Sequence, residues 1–412
     1  IKYMSHFKYF KNKLFTENTP VLNIIKKNKT PFYLYSEKQI IENYSNFAKI
    51  FKNIKPLICF AAKANTNLTI MRMLGKLGSG ADVVSGGELL KALKAGIKPN
   101  KIVFSGVGKT EVELKLAIRK KILLINVESE SEAILINKIG RKINKIISIG
   151  FRINPNVDAK THKKISTGKA ENKFGVSIKN FSLFYKNIKQ FKHLKVDAMS
   201  VHIGSQILSD TPYKKTLGVL SKIIKDLNIR LKYVDLGGGF GIKYNKKDKQ
   251  INLNNYAKLV YNFKKKLNCN VIFEPGRSLV GNTGILVSKI QYIKKGLRNN
   301  FIIIDAGMND FMRPALYDAK HDIIPIIKTN KKNQGSLEFV GPICETSCKF
   351  SKYDKYQKIK EGDFVAITNV GAYGASLSSN YNTKPLIAEI LANKSNFKII
   401  RKKQDLLKLI NS

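Results

Sequence analysis

Short apolar runs recur along the first two-thirds of the chain, and segments with helical spacing separate them. "KPLICFAAK" comes first, followed by "ADVVS", "KIVFSG", "ILLINVE", "IISIGFRINP", "VDAMSVHIG", "LKYVDLGGG" and "NVIFEP". The runs are continuous and rich in Ile and Val, as expected of strands buried on both faces. Between them, "GGELLKALKAGI" and "TEVELKLAIRKK" read as amphipathic helices. Strand–helix alternation predicts parallel βαβ units. Eight units over about 250 residues predict an α/β fold, a closed (β/α)8 barrel of TIM type. The competing architecture is an open doubly wound sheet, which would bind ligand at one switch point.

After Gly281 the rhythm changes. "ILVSKIQYIKK", "NFIIIDAG", "SLEFVGPIC", "DFVAITNVGAY" and "KPLIAEILAN" read as strands joined by turns. They predict a second, mostly β, sandwich-like domain, to which the early strand "TPFYLYSE" also belongs. The expected division is a barrel over 36–280 and a β domain from 1–35 and 281–412. The polar, lysine-rich segment Asn156–Gly175 is expected to be a mobile loop near the barrel mouth.

Composition adjusts this picture in three ways. The 74 basic and 29 acidic residues leave a formal charge of +45, which first suggests nucleic acid. The lysines are scattered through all 412 residues, however, and come with abundant Asn and Ile, so a solvated basic surface is expected, with no specific nucleic-acid partner. Arginine is scarce, which singles out Arg152, Arg277 and Arg313 as sites that need a bidentate fork. Of the cysteines Cys59, Cys269, Cys344 and Cys348, the last two are four apart. That is not zinc-ribbon spacing, so no metal is expected, and reduced thiols point to a cytoplasmic protein. No apolar run is long enough to cross a bilayer. The opening "IKYMSHFKYFKNKLFTENTP" lacks the apolar core and cleavage site of a signal peptide.

In such barrels the working residues lie at the C-terminal strand ends. The first run ends at Lys63 and the second at Ser85. The fifth ends at Arg152 and Asn154, and the sixth at His202, Gly204 and Ser205. The seventh ends at Gly237, Gly238 and Gly239, and the eighth at Glu274, Pro275, Gly276 and Arg277. Each has an ordinary explanation: a snorkelling lysine, a structural histidine, a tight glycine turn, a turn with an ion pair. At a single rim they converge on one pocket. Bare amides at Gly237–Gly239 and at Gly276 and Arg277 suit a phosphate. No "GxxxxGK[ST]" is present, which argues against a P-loop nucleotide. A desolvated Lys63 can form an imine with an aldehyde. Glu274 can keep a pyridine nitrogen protonated, and His202 can stack on an aromatic ring. Together these describe pyridoxal 5'-phosphate.

"FAAKAN", "HIGSQI", "DLGGGFGI", "EPGRSLVG", "DAGMNDFMRPALYDAKHDI", "GPICET" and "GAYGASLSSNYN" resemble the diaminopimelate decarboxylase family of alanine-racemase-like, fold-type III enzymes. The likeness runs from about Thr30 to about Asn382. It implies decarboxylation of meso-2,6-diaminopimelate to L-lysine and CO2 by a head-to-tail homodimer with shared active sites. By resemblance Lys63 carries the cofactor, His202 stacks on its ring and Glu274 pairs with the ring nitrogen. Ser205, Gly239, Gly276 and Arg277 surround the phosphate side. Arg277, Arg313 and Tyr317 hold the substrate's distal end, and Glu345 receives its distal ammonium. Cys344 donates the proton after decarboxylation, reaching the partner's site with Glu345. Tyr373 touches cofactor and substrate. One departure is Cys348, where the family usually has aspartate. Other substrates of such decarboxylases are carboxynorspermidine, ornithine and arginine. Bidentate Arg313 with Glu345 argues against the last two, because ornithine has no distal carboxylate to bind.

Overall fold

The computed structural model describes residues 6–159, 161–244 and 248–411. Residues 1–5 of the opening stretch and position 160 of the Asn156–Gly175 loop lie outside them. The chain divides into two compact units. One comprises Tyr44–Ile242 and Lys249–Ser278, the other Ile1–Asn43, Lys243–Asp248 and Leu279–Ser412.

In the first unit all eight apolar runs form strands. They are β1 (Leu57–Ala61), β2 (Gly80–Val83), β3 (Ile102–Phe104), β4 (Leu124–Val127), β5 (Ile147–Asn154), β6 (Leu194–Ser200), β7 (Tyr233–Asp235) and β8 (Asn270–Phe273). Each pairs in parallel with its neighbour, and β8 pairs with β1, which closes the barrel. The helices start where side chains satisfy free backbone N–H groups. Asn67 accepts from Thr69 N–H, Ser85 from Glu88 N–H and Ser129 from Glu132 N–H. Thr110 and Glu113 form a reciprocal capping box before Glu111–Arg119.

Side-chain alternation explains what the barrel encloses. Successive strand residues point to opposite faces, so i and i+2 share one. Cys59, Val103, Leu124, Ala198 and Ile272 form an apolar plug. Two residues further along β3, β4, β6 and β8 stand Ser105, Asn126, Ser200 and Glu274. The same face of β2 and β7 carries Asp82 and Asp235, both fully buried. A polar layer therefore sits directly above an apolar one. Phe47, Phe51, Phe240, Phe273 and Tyr256 pack together elsewhere in the unit, edge to face or tilted.

The second unit is mostly β. Its main sheet runs Lys349–Tyr353, Leu337–Val340, Asn300–Ile304, Gly284–Lys294, Phe32–Ser36, Ala388–Asn393 and Asn396–Arg401. The early strand Phe32–Ser36 lies between Gly284–Lys294 and Ala388–Asn393, as its sequence suggested. Phe364–Ile367 pairs with Gly284–Lys294 and with Ile323–Pro325. A hairpin, Phe7–Phe10 with Lys13–Thr16, contributes Phe7 and Leu14 to the core around Phe32, Leu34, Val287 and Ile390. Among the described residues no helix is long and apolar enough to cross a membrane.

Candidate active site

Lys63 follows β1 on a single helical turn, Ala62–Ala64. Its side chain is 34% exposed, and its Nζ lies 3.0 Å from Oδ2 of Asp82. Asp82 Oδ1 is buried without a hydrogen-bond partner. Lys63 opens into a cavity of about 430 Å³, lined also by Ser105, Asn126, Arg152, His202 and Glu274.

Two further carboxyls stand in the polar layer. Asn126 Nδ2 donates to Asp235 Oδ2 at 3.0 Å, and Gly237 N–H donates to Asp235 Oδ1 at 3.0 Å. Ser105 Oγ donates to Glu274 Oε1 at 3.3 Å. Burial pushes Glu274 well above the ordinary carboxylate range, and the nearby charges of Asp235 and Asp82 add to the effect. Burial likewise raises Asp235 to about 6. The two carboxyls hydrogen-bond each other, which requires a proton between them.

His202 is held in its neutral form. Burial pushes its pKa well down, and the charges of Lys63 and Arg152 push the same way. Its Nδ1 accepts from Gly238 N–H at 3.2 Å, which places the imidazole proton on Nε2. Its carbonyl accepts from Thr167 Oγ1 at 2.6 Å and Arg152 NH2 at 3.3 Å. Arg152 in turn pairs with buried Glu128 at 2.7 Å and lies 4.9 Å from the Phe174 ring. Thr167 and Phe174, both from the Asn156–Gly175 segment, line the cavity, so that segment does stand at its rim.

The glycines after β7 and β8 have no room for side chains. A Cβ on Gly238 would lie 2.1 Å from the Glu274 carbonyl oxygen. At Gly239, where φ is +90°, it would meet the Gly204 carbonyl oxygen at 2.4 Å. The Pro275 carbonyl accepts from Ala61 N–H at 3.2 Å, tying the start of "PGR" to β1. A Cβ on Gly276 would lie 3.0 Å from the Cβ atoms of Ala61 and Ala64. Arg277 NH2 donates to Ser205 Oγ at 3.0 Å. An amine, a neutral flat imidazole, a buried acid and bare backbone above a polar floor are the groups that pyridoxal 5'-phosphate needs. The residues present fit that cofactor. Among the described residues no cluster of His, Cys, Asp and Glu could hold a metal.

Comparison with known proteins agrees. Residues 37–281 match the family described as "Pyridoxal-dependent decarboxylase, pyridoxal binding domain". The diaminopimelate decarboxylase of Aquifex aeolicus is 40% identical over 407 residues, covering 98% of this chain and 96% of that one. The chain belongs to the diaminopimelate decarboxylase family. The enzyme of Helicobacter pylori strain J99 is 44% identical over 381 residues, 92% of this chain and 94% of that one. A crystal structure of diaminopimelate decarboxylase from Helicobacter pylori complexed with L-lysine superposes with a TM-score of 0.90 at 42% identity. It covers 95% of this chain and 98% of that one.

The family's remaining candidate residues lie in the second unit. Arg313 is buried at the start of the short helix Arg313–Tyr317, which ends at half-buried Tyr317. Its NH1 donates to the Tyr244 hydroxyl at 2.7 Å. Cys344 and Glu345 are exposed. Glu345 accepts from the hydroxyls of Tyr381 and Ser347, which hold its carboxyl below the ordinary range. Tyr373 is half-buried with φ +55°. Cys348 is buried, and its Sγ accepts from Met308 N–H at 3.3 Å.

The structure brings Lys63, His202 and Glu274, three of the residues singled out in the sequence, to one cavity. The sequence reading missed Asp82, Asp235, Asn126, Ser105, Glu128 and Tyr244. The first four carry a detectable signal, as lone polar residues on the inward face of an otherwise apolar strand.

Proposed function

We propose that the cavity at the barrel's C-terminal rim is the site of decarboxylation of meso-2,6-diaminopimelate to L-lysine and CO2, the last step of lysine biosynthesis. The observation that carries this reading is the convergence of Lys63, His202 and Glu274 on one cavity in a chain of this family. Pyridoxal 5'-phosphate, when bound, supplies the electron sink for the carbanion left by loss of CO2.

The protein's own groups then divide the work. The Lys63 amine would hold the cofactor through its aldehyde carbon. The Glu274 carboxyl, in a dry setting, holds a proton at the ring nitrogen. Neutral His202 offers a flat face without adding charge. Ser205, Gly239, Gly276 and Arg277 hold the phosphate through hydroxyl, amide and guanidinium donors. Arg313, Tyr317 and Tyr373 bind the substrate, with Arg313 on the distal carboxylate. The exposure of Cys344 and Glu345 supports a homodimer in which both serve the partner's site, Cys344 delivering a proton and Glu345 receiving the distal ammonium. Four free thiols are compatible with a cytoplasmic location.

Borohydride reduction of the cofactor-loaded protein, followed by peptide mass mapping, tests the core of this reading. The pyridoxyl mass should appear on the peptide containing Lys63, in a preparation that releases CO2 from meso-diaminopimelate. A label at another lysine, or none, refutes it.

A further inference from the structure

Arg313 is held by a neighbour distant from it in the chain. Its NH1 donates to the Tyr244 hydroxyl at 2.7 Å, and its guanidinium carbon lies 5.0 Å from the centre of the Tyr244 ring. Both residues are buried, at 6% and 8% exposure. Tyr244 belongs to Lys243–Asp248, which follows the glycine run after β7 in sequence but is part of the second compact unit.

The tyrosine ring is itself fixed. It meets the His321 ring edge to face at 4.9 Å, and His321 meets Phe311 at 4.7 Å. His321 Nδ1 lies 2.8 Å from the Thr368 carbonyl oxygen, which requires the ring proton at Nδ1. Tyr244 N–H donates to the Asp248 carboxylate at 2.9 Å. Ring and backbone thus locate the phenol oxygen, and the phenol oxygen locates NH1. A phenol that accepts from a guanidinium must aim its own O–H elsewhere, because it has a single donor. A planar guanidinium binds a carboxylate well only when its plane is set beforehand.

We propose that Tyr244 is a positioning residue that sets the plane of Arg313, making the pair selective for ligands with a distal carboxylate. This rests on the assignment of Arg313 to that carboxylate.

Tyr244→Phe removes the hydroxyl and keeps the ring stack. Its KM for meso-diaminopimelate should rise roughly tenfold, the scale of one lost hydrogen bond to a charged group, with kcat changed by less than about twofold. Inhibition by L-lysine, which keeps the distal head group, should weaken by a similar factor. Inhibition by 1,5-diaminopentane, which has no carboxylate, should not change. Equal weakening of both inhibitors would mean general damage and overturn the proposal. Arg313→Lys separates this inference from the assignment beneath it. If Arg313→Lys raises KM while Tyr244→Phe leaves KM and L-lysine inhibition unchanged, the role of Tyr244 alone is overturned. If Arg313→Lys leaves KM unchanged, the assignment of Arg313 falls and the inference falls with it.

Discussion

The ammonium of Lys63 stands 3.0 Å from a carboxylate, Asp82, that is completely buried on the neighbouring strand. The lysine side chain is 34% exposed and the aspartate 0%, so water screens only one end of the pair. Its worth should fall between an exposed pair, at about 0–1 kcal/mol, and a buried one, whose disruption costs about 3–5 kcal/mol. Lys63→Ala should therefore cost about 1–3 kcal/mol in urea unfolding of the cofactor-free protein. Most of that should return when Asp82→Asn is added, because the stranded charge is gone. Equal stability of single and double variants would show that the contact contributes little.

The barrel was legible because its strands obey a simple physical rule. Strands covered on both faces must be apolar throughout, and all eight runs became strands. Their ends were legible too, because Lys63, His202 and Glu274 interrupt apolar runs with charge or imidazole. Asp82 and Asp235 escaped notice because each is embedded in an apolar run, in "ADVVS" and "KYVDL". Only the inward alternation reveals that they share a layer with Glu274. In the second unit, Lys349–Tyr353, Asn396–Arg401 and the Phe7–Thr16 hairpin were missed for a different reason. Their sequences, "KFSKY", "NFKIIR" and "FKYF", carry lysine at outward positions in a chain where lysine is everywhere, so its presence does not separate strand from loop. Tyr244 was hidden because its partner Arg313 is 69 positions away.

The Asp235–Glu274 pair should leave a mark on stability against pH. Burial raises both groups, Asp235 to about 6 from an ordinary 3.8, and Glu274 well above 4.5. Between those ordinary values and the raised ones, the folded protein holds a proton that the unfolded chain has released. The folded state binds more protons there, so the pair's contribution is greatest at low pH and is lost as pH rises through about 6. Glu274→Gln should flatten this slope, since an amide can still donate to Asp235 at every pH. Relative to wild type, the variant should gain about 1 kcal/mol or more between pH 4.5 and 7.5, as a tenfold change in proton affinity corresponds to about 1.4 kcal/mol. Asp310 is also raised to about 6 by burial and has the same sign. His202, pushed down, has the opposite sign. Both are unchanged in the variant and cancel in the difference. Parallel urea-midpoint profiles for the two proteins would rule out the shared proton.

Glu128 should be the most costly single acid to remove from the barrel. Its carboxylate is 1% exposed and accepts from Arg152 NH1 at 2.7 Å. It also accepts from Gly106 N–H and Gly175 N–H, each at 3.0 Å. Those donors come from the end of β3, from β5 and from the close of the Asn156–Gly175 segment, so one side chain joins three parts of the rim. Glu128→Ala strands a guanidinium that is only 10% exposed and leaves two amides unpaired. Breaking a buried ion pair from one side costs about 3–5 kcal/mol, and each orphaned amide adds about 1–3 kcal/mol before relaxation. The expected loss in urea unfolding is at least about 3 kcal/mol. Glu128→Gln keeps an acceptor and should lose less. Glu128→Ala with Arg152→Met should recover part of the loss, since removing the stranded charge relieves the larger penalty. Cofactor affinity separates support from function: Arg152 reaches the His202 carbonyl and packs on Phe174, so both single variants should also bind pyridoxal phosphate more weakly. A Glu128→Ala protein within about 1 kcal/mol of wild type would mean that water replaces the carboxylate at no cost, and that the rim does not depend on it.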